Sequence, residues 1–215
     1  MKVLVCDDHA VFRVGLSMVL RGIDETAALI EAEDGAEALR LVAAHPDLDL
    51  VLLDLQMPGL DGRSGLRRLR AEHPEIPVVI VSASEEGAGM REALEAGASG
   101  YIPKGVPEAE MRAALQLVIA GGVYVPRGAL AAAPPAPAPD ARARQERRRA
   151  RVAGLTPRQR EVLQLMLRGL TNREICGVLS IAEGTVKAHV AAILEALDVS
   201  NRTEAAMVAR DLSLD

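Results

Sequence analysis

Aromatic side chains are nearly absent from this chain, whose 215 residues include no tryptophan, two tyrosines and one phenylalanine. Any hydrophobic core must therefore be aliphatic, and a hydrophobic content of 49% is ample for that purpose. Proteins that bind single-stranded nucleic acids commonly stack the bases on aromatic rings. So few rings argue against that mode of binding.

Cysteine and long apolar runs are also scarce. The two cysteines, Cys6 and Cys176, fall in segments far apart in the chain, so neither a disulfide framework nor a zinc site fits. The longest apolar runs have the length of strands, which is too short to cross a bilayer. Residues 1–6 form a strand pattern and not the core of a signal peptide. We therefore expect a protein of the reducing cytoplasm without a membrane partner.

Charge and composition divide the chain into three parts. Basic and acidic side chains number twelve and twenty at 1–139, six and two at 140–151, and seven and eight at 152–215. Alternating alanine and proline at 129–141 predict an exposed, polyproline-like linker. The length is typical of two domains. We predict a first domain at 1–122, a linker at 123–151 and a second domain at 152–215.

Four apolar runs in the first domain have the length of buried parallel strands, and each ends at polar or charged side chains. In chain order these groups are Asp7 and Asp8, Asp54, Ser82 and Lys104. Periodic apolar positions between the runs predict helices on both faces of a parallel sheet. With a weaker strand at Ala27–Ala32, the pattern predicts an α/β domain with the flavodoxin-like strand order 2-1-3-4-5.

The acidic groups predict a metal site. The carboxyl ends of parallel strands meet at one edge of the sheet, where three carboxylates repel one another unless a cation lies among them. Mg²⁺ fits best, because it prefers oxygen ligands and takes one or two carboxylates together with phosphate oxygens. Asp8 and Asp54 would bind the ion directly. The backbone carbonyl of Gln56 would be a further ligand, and Asp7 would act through water.

The same edge predicts phosphoryl transfer. Asp54, at the end of a wholly apolar strand, would be the nucleophile and would carry the phosphoryl group as an acyl phosphate. The Lys104 ammonium would neutralise one phosphoryl oxygen, and the Ser82 hydroxyl would donate a hydrogen bond to another. The joint arrangement on four strand ends, more than any one residue, indicates this chemistry.

Five short motifs occur together in residues 1–122. They are Asp7-Asp8, Asp54 with Met57-Pro58-Gly59, Asp61-Gly62, Ser82-Ala83, and Gly97-Ala98-Ser99-Gly100-Tyr101 leading to Lys104. Together they resemble the receiver domain of two-component response regulators. The resemblance implies that a sensor histidine kinase phosphorylates Asp54 and that this step requires Mg²⁺. It also implies that Ser82 and Tyr101 are a switch pair, in which the Tyr101 ring turns inward after phosphorylation. The chain departs from many receivers in having glycine, not proline, after Lys104.

Caps and apolar spacing predict four helices in the second domain. Thr156 opens the first helix, and Thr171 with Glu174 forms a capping box that opens the second. The third runs over Glu183–Leu197 and the fourth from about Arg202 to Asp211, each with one apolar face. The short turn between the second and third helices is typical of a helix-turn-helix.

Four motifs lie on these helices. They are Leu155-Thr156-Pro157-Arg158-Gln159-Arg160-Glu161-Val162-Leu163, Gly169-Leu170-Thr171-Asn172-Arg173-Glu174-Ile175, Gly184-Thr185-Val186-Lys187-Ala188-His189-Val190 and Asn201-Arg202-Thr203-Glu204-Ala205. They resemble the LuxR-type helix-turn-helix, and a receiver followed by this domain is the arrangement of NarL/FixJ-type response regulators. The resemblance implies a transcription factor whose third helix enters the major groove of double-stranded promoter DNA.

The resemblance also implies contact residues. Those assigned to DNA are Thr171, Asn172, Arg173, Thr185, Lys187, Ala188 and His189, with Lys187 the strongest candidate. Those assigned to a homodimer, formed on phosphorylation or on DNA, are Ala206, Met207 and Arg210. Alanines and Glu195 stand on the third helix where many relatives carry lysines, so we expect modest affinity for DNA. The arginine-rich segment 142–149 is either a solvated flank or a supplementary contact to DNA phosphates.

Two other functions are compatible with parts of this pattern. A phosphatase with an aspartyl-phosphate intermediate typically carries an acid two residues after the nucleophile, where this chain has Gln56. An adaptor that works without phosphorylation often lacks an acid or the lysine, and this chain keeps them all. We therefore predict a phosphoacceptor regulator and not an enzyme.

Overall fold

The chain folds into two compact units, Met1–Ala131 and Ala132–Asp215. The computed structural model describes residues 1–57, 62–84, 86–130 and 141–212. Most of the alanine–proline segment predicted as a linker, and the Pro58-Gly59 and Asp61 parts of the motif after Asp54, lie outside the described residues.

The first unit alternates strands and helices around one sheet. Its elements are β1 (Lys2–Cys6), α1 (Ala10–Ile23), β2 (Ala28–Ala32), α2 (Gly35–Ala44), β3 (Leu50–Leu53), α3 (Gly62–Glu72), β4 (Val78–Ser82), α4 (Gly87–Glu95), β5 (Gly100–Pro103), α5 (Glu108–Ile119) and α6 (Arg127–Leu130). The strands are parallel and lie in the order β2-β1-β3-β4-β5, so the predicted architecture is confirmed. The weakest predicted strand, β2, begins at Ala28.

Helices cover both faces of this sheet, and each face has its own hydrophobic core. Alternate residues of a strand point to opposite faces. Leu4 and Cys6 of β1 accordingly pack in one core, and Val3 and Val5 pack in the other. Burial on both faces explains why β1, β3 and β4 are apolar in their interiors, with polar side chains only where these strands begin or end. The edge strand β2, which is less buried, carries Glu31 in its interior.

The segment after α5 packs on the first unit instead of leaving it. The Tyr124 backbone N–H donates to Ser99 O at 3.1 Å, and Tyr124 O accepts from the Tyr101 N–H at 3.2 Å. Ala129 of α6 is buried in the core that α4 also lines. A Cβ placed on Gly87 would lie 2.8 Å from Gly128 O, so α4 and α6 approach too closely for a larger residue. The predicted linker therefore begins with structured residues.

The second unit is helical in its described part. Its elements are α7 (Ala141–Ala153), α8 (Pro157–Leu167), α9 (Asn172–Leu179), α10 (Glu183–Leu197) and α11 (Arg202–Asp211). The last four are the helices that the sequence predicts. Helix α7 is additional, and it contains the arginine-rich segment. The predicted domain boundary at residue 152 falls inside it.

Side-chain caps fix where these helices begin. The Thr156 hydroxyl accepts from the Gln159 N–H while the Gln159 side chain accepts from the Thr156 N–H, which closes a capping box at α8. Thr171 and Glu174 form the same box at α9. Asn201 caps α11 by accepting from the Glu204 N–H. Local sequence therefore sets the start of three helices independently of the core.

Helices α9 and α10 form the helix-turn-helix. Ser180 ends α9 in the left-handed region, with φ of 52°, and the Ile181 N–H donates back to Cys176 O. The two helices meet at a bend of 112°. Among the described residues no single helix is long and apolar enough to cross a membrane, and only this bent pair reaches the required length and composition together.

Candidate functional site

Acidic side chains converge at the carboxyl ends of β1 and β3. Asp7, Asp8, His9 and Asp54 each place one ligand atom so that all four atoms lie within 4.8 Å of one another. Asp7 and Asp54 are buried, whereas Asp8 and His9 are open to solvent. His9, which sequence analysis did not single out, lies with Nδ1 2.7 Å from Asp8 Oδ1 and 3.2 Å from Asp7 Oδ1.

Lys104 joins the two buried carboxylates. Its Nζ lies 2.6 Å from Asp7 Oδ2 and 2.8 Å from Asp54 Oδ2. Burial acts to lower the pKa of the lysine, but the hydrogen bonds to Asp54 and Asp7 outweigh it and raise that pKa. The ring of Phe12 lies 4.7 Å from the ammonium and adds a cation–π contact. The lysine is therefore charged and fixed beside Asp54.

The donor set of this pocket suits Mg²⁺. Three carboxylates face one lysine, which leaves excess negative charge for a divalent ion to balance. The exposed Asp8 leaves room for the waters that Mg²⁺ retains. Asp54 Oδ1 accepts from the Gln56 N–H at 3.0 Å, so the loop after β3 curls back over the pocket. These features fit a hard, oxygen-preferring cation.

The predicted switch residues lie on the neighbouring strands. Ser82, the last residue of β4, is fully buried, and its hydroxyl accepts from the Ser84 N–H at 3.3 Å. The Tyr101 ring on β5 is buried, and its hydroxyl donates to Ser84 O at 2.7 Å. The ring that was predicted to turn inward thus already occupies an inward position here. Its backbone also bonds Tyr124, which links the loop after β4 to the end of the first unit.

Arg13 supports the acidic pocket and was missed by sequence analysis. Its guanidinium is buried and donates at 2.7 Å to each of three oxygens: Asp7 O, Glu31 Oε2 and Glu33 Oε1. The hydrogen bond with Glu31 is the largest cause of its raised pKa. The arginine thereby fixes the loop that carries Asp7 and Asp8. A cation on the buried face of a helix is the signal that could have revealed it.

The predicted DNA-contact residues lie along the start of α9 and on α10. Asn172 is half-buried, while Arg173, Thr185 and Ala188 are exposed. His189 is half-buried. The Thr171 hydroxyl caps α9 and also donates to Glu174 Oε2 at 2.9 Å, so it is held within its own helix.

The side chain of Lys187, the strongest predicted DNA contact, is largely buried on α10. It is 4% exposed, and its Nζ lies 3.1 Å from Glu183 Oε1, one turn earlier on α10. The apolar stem of a lysine packs easily against a core while its charge is balanced by a neighbour. Spacing on the helix indicated the position of this residue but not its direction.

Lys187→Met should therefore leave the salt dependence of DNA binding unchanged, because the charge is already balanced by Glu183. The loss in folding free energy should be about 1–3 kcal/mol, since Glu183 Oε1 is itself buried and would lose the charge that faces it. Binding titrations over a range of salt concentrations measure the first quantity. A drop of about 0.9 in the slope of log Kobs against log salt would instead identify Lys187 as a phosphate contact.

Helix α11 presents the residues predicted for dimerisation. Met207 is 63% exposed and Arg210 is exposed, while Ala206 is half-buried. Ala205 and Ala209 point to the core from the opposite side. The helix thus has one face in the core and a separate face with an exposed methionine.

Comparison with known proteins adds an independent result. Residues 3–116 match the family described as response regulator receiver domain, and residues 153–209 match the family described as bacterial regulatory proteins, luxR family. The chain is 39% identical to the glycerol metabolism activator of Pseudomonas putida, over 98% of this chain and 96% of that protein. It is 34% identical to the nitrate/nitrite response regulator protein NarL of Escherichia coli, over 95% and 93%.

A solved structure gives the same result. A LuxR family DNA-binding response regulator from Silicibacter pomeroyi is 33% identical and superposes with a TM-score of 0.53. The match covers 59% of this chain and 98% of that one.

Proposed function

The chain belongs to the response regulators that join a receiver domain to a LuxR-type DNA-binding domain, and from this premise we propose that phosphorylation of Asp54 switches its binding to promoter DNA. It is a transcriptional regulator of a two-component system and not a conventional enzyme. The proposed domains are residues 1–122 and 152–215. The proposed phosphodonor is a sensor histidine kinase. The only transfer that the chain itself would catalyse is that of the phosphoryl group onto its own Asp54.

The contact of Lys104 with both Asp7 and Asp54 carries this proposal. An oxygen of Asp54 forms the new bond to phosphorus. The bond from phosphorus to the imidazole nitrogen of the donor breaks, and that nitrogen keeps the electron pair. Lys104, fixed within 2.8 Å of Asp54, is in place to neutralise a phosphoryl oxygen. Ser82, at the end of the adjacent strand, is assigned the hydrogen bond to another.

The metal that we assign to this site is Mg²⁺. Asp8, Asp54 and the backbone carbonyl of Gln56 would hold it, with Asp7 acting through water. When bound, Mg²⁺ supplies positive charge to the oxygens of the transferred group. The excess of carboxylates over lysine in the pocket supports this assignment.

The switch that we assign to the first unit is the pair Ser82 and Tyr101. The Tyr101 hydroxyl and backbone bond two different segments, the loop after β4 and the residues around Tyr124. A shift of Ser84 on phosphorylation would therefore be felt at the end of the unit. Along the chain, that end is followed by the DNA-binding unit.

The DNA contacts that we assign lie at the beginnings of α9 and α10. Helix N-termini favour phosphate because free N–H groups and the helix dipole point there. Thr171, Asn172, Arg173 and Thr185 lie there. Further along α10, Ala188 is assigned to a thymine methyl group and His189 to a phosphate. The exposed face of α11, with Ala206, Met207 and Arg210, is assigned to a homodimer on DNA. A kinase and promoter DNA as partners place the action of the protein in the bacterial cytoplasm.

The proposal is tested with the full chain, a phosphoramidate as donor, and DNA selected from random duplexes by the unaltered protein. With Mg²⁺ the chain should gain a single phosphoryl group and bind the selected duplex more tightly. Chelation by EDTA should prevent both effects, because Mg²⁺ is then absent. Equal DNA affinity with and without the phosphoryl group, or rapid turnover of a small phosphoester by the chain, would contradict the proposal.

A further inference from the structure

All of helix α7 except its last residue, Ala153, lies outside the matched segments 3–116 and 153–209, yet the helix packs against α10. Val152 on its last turn is 7% exposed and belongs to the core of the second unit. The helix ends where the Gly154 N–H donates to Arg151 O at 3.0 Å, and Leu155 continues directly into the same core. The arginine-rich segment is therefore anchored to the DNA-binding unit.

Two arginines of α7 contact the far end of α10. Arg148 donates from Nη2 to Asp198 O at 2.9 Å, and Arg151 donates from Nη1 to Glu195 O at 3.3 Å. The last carbonyls of a helix have no partner within the helix, and they carry the negative end of its dipole. The guanidinium groups donate to Asp198 O and add a second donor to Glu195 O, which also accepts from the Asp198 N–H, and their positive charge favours the dipole.

The same contact recurs throughout the second unit. Arg160 donates to Ala153 O at the end of α7, and Arg158 donates to Leu179 O at the end of α9. Arg202 donates to Met166 O at 3.0 Å and also to Leu170 O, at the end of α8. Burial lowers the pKa of Arg202 to about 10, which still keeps it charged at neutral pH. Five arginines of this unit thus donate to carbonyl groups near helix ends.

We infer that α7 is part of the DNA-binding domain and that Arg148 and Arg151 are positioning residues for α10. They fix the end of α10 opposite to Glu183, and so set the angle at which its exposed face meets DNA. Their guanidinium groups serve carbonyl oxygens and not phosphates. The inference rests on α10 being the helix that reads DNA.

Single substitutions test this with a built-in control. Arg148→Gln and Arg151→Gln each remove one charge from a capping position, whereas Arg149→Gln removes one charge from an exposed position on the same helix. Each variant of the full chain is titrated with the duplex selected by the unaltered protein and with a duplex of unrelated sequence. The slope of log Kobs against log salt is measured for both.

Loss of either capping arginine should weaken binding to the selected duplex by about threefold, in line with the worth of a cation at a helix end. The affinity for the unrelated duplex, and the slope of log Kobs against log salt, should equal the values measured for Arg149→Gln. Lysine at either position should restore much of the affinity. A fall of the slope by about 0.9 per arginine, or weakening equal to that of Arg149→Gln on both duplexes, would overturn the inference.

Amide hydrogen exchange gives a second readout that needs no DNA. In the double variant R148Q/R151Q, exchange at Asp198 and Val199 should quicken about tenfold, because their hydrogen bonds to Glu195 O and Leu194 O close the end of α10. Amides of α8 and α9 should keep their rates. Unchanged exchange at the end of α10 would refute the role of α7 even if the protein selected no DNA.

Discussion

The Asp54→Asn variant should accept no phosphoryl group, from a kinase or from a phosphoramidate. An amide oxygen carries no negative charge with which to attack phosphorus. The fold should persist, because Lys104 keeps its contact with Asp7 at 2.6 Å and one of three mutually repelling charges is gone. Phosphate-affinity gel electrophoresis of the full chain measures the labelling.

Asp47→Asn is the matched control for this result. Asp47 is an exposed acid that pairs with Lys2 before β3, at the other end of the strand from Asp54. The same chemical change there should leave labelling intact. Labelling of Asp54→Asn at the rate of Asp47→Asn would remove Asp54 from its assigned role and move the acceptor to another residue.

Ile193→Ala should cost the second unit about 3 kcal/mol of folding free energy. Ile193 is fully buried in a core that contains no aromatic side chain, so no neighbouring ring fills the space that the substitution leaves. Small domains have only about 5–15 kcal/mol in total, so this is a large fraction. DNA binding should weaken accordingly, since α10 carries both Ile193 and the DNA-facing residues.

Hydrogen exchange of the full chain separates the two units in this experiment. Peptides of α8, α9 and α10 should exchange roughly a hundredfold faster, since each 1.4 kcal/mol is worth a factor of ten. Peptides of the sheet should not change. Val178→Ala, on an exposed position of α9, supplies the control and should alter neither. If Ile193→Ala changed the exchange rates as little as Val178→Ala does, Ile193 would not belong to the core that stabilises the unit.

The sequence was sufficient for the parts of the fold that follow from local chemistry. Strand ends are marked by Asp54, Ser82 and Lys104, because a strand buried on both faces tolerates a polar group only where it leaves the sheet. Helix starts are marked by Thr156 and Thr171, because a hydroxyl followed three residues later by a carboxylate or amide closes a box within one turn. Alternation of the two elements indicated a parallel sheet, and the five predicted strands fitted the order that the structure shows.

Contacts between distant segments were not predictable in this way. The spacing within α1 places Arg13 on the buried face of that helix, but it does not show that Glu31 and Glu33 lie beside the guanidinium. Composition left the arginine-rich segment open between a solvated flank and a DNA contact. It did not indicate carbonyl oxygens as partners, since a bare count of charges omits the uncapped ends of helices.

The arginines at helix ends have a consequence for how the protein finds its targets on a chromosome. Arg148, Arg151, Arg158, Arg160 and Arg202 all face carbonyl oxygens of their own unit. Weak attraction to the general phosphate backbone shortens each visit to random sequence. We therefore expect brief contacts with random DNA, so that discrimination between sequences depends on the residues proposed to contact bases.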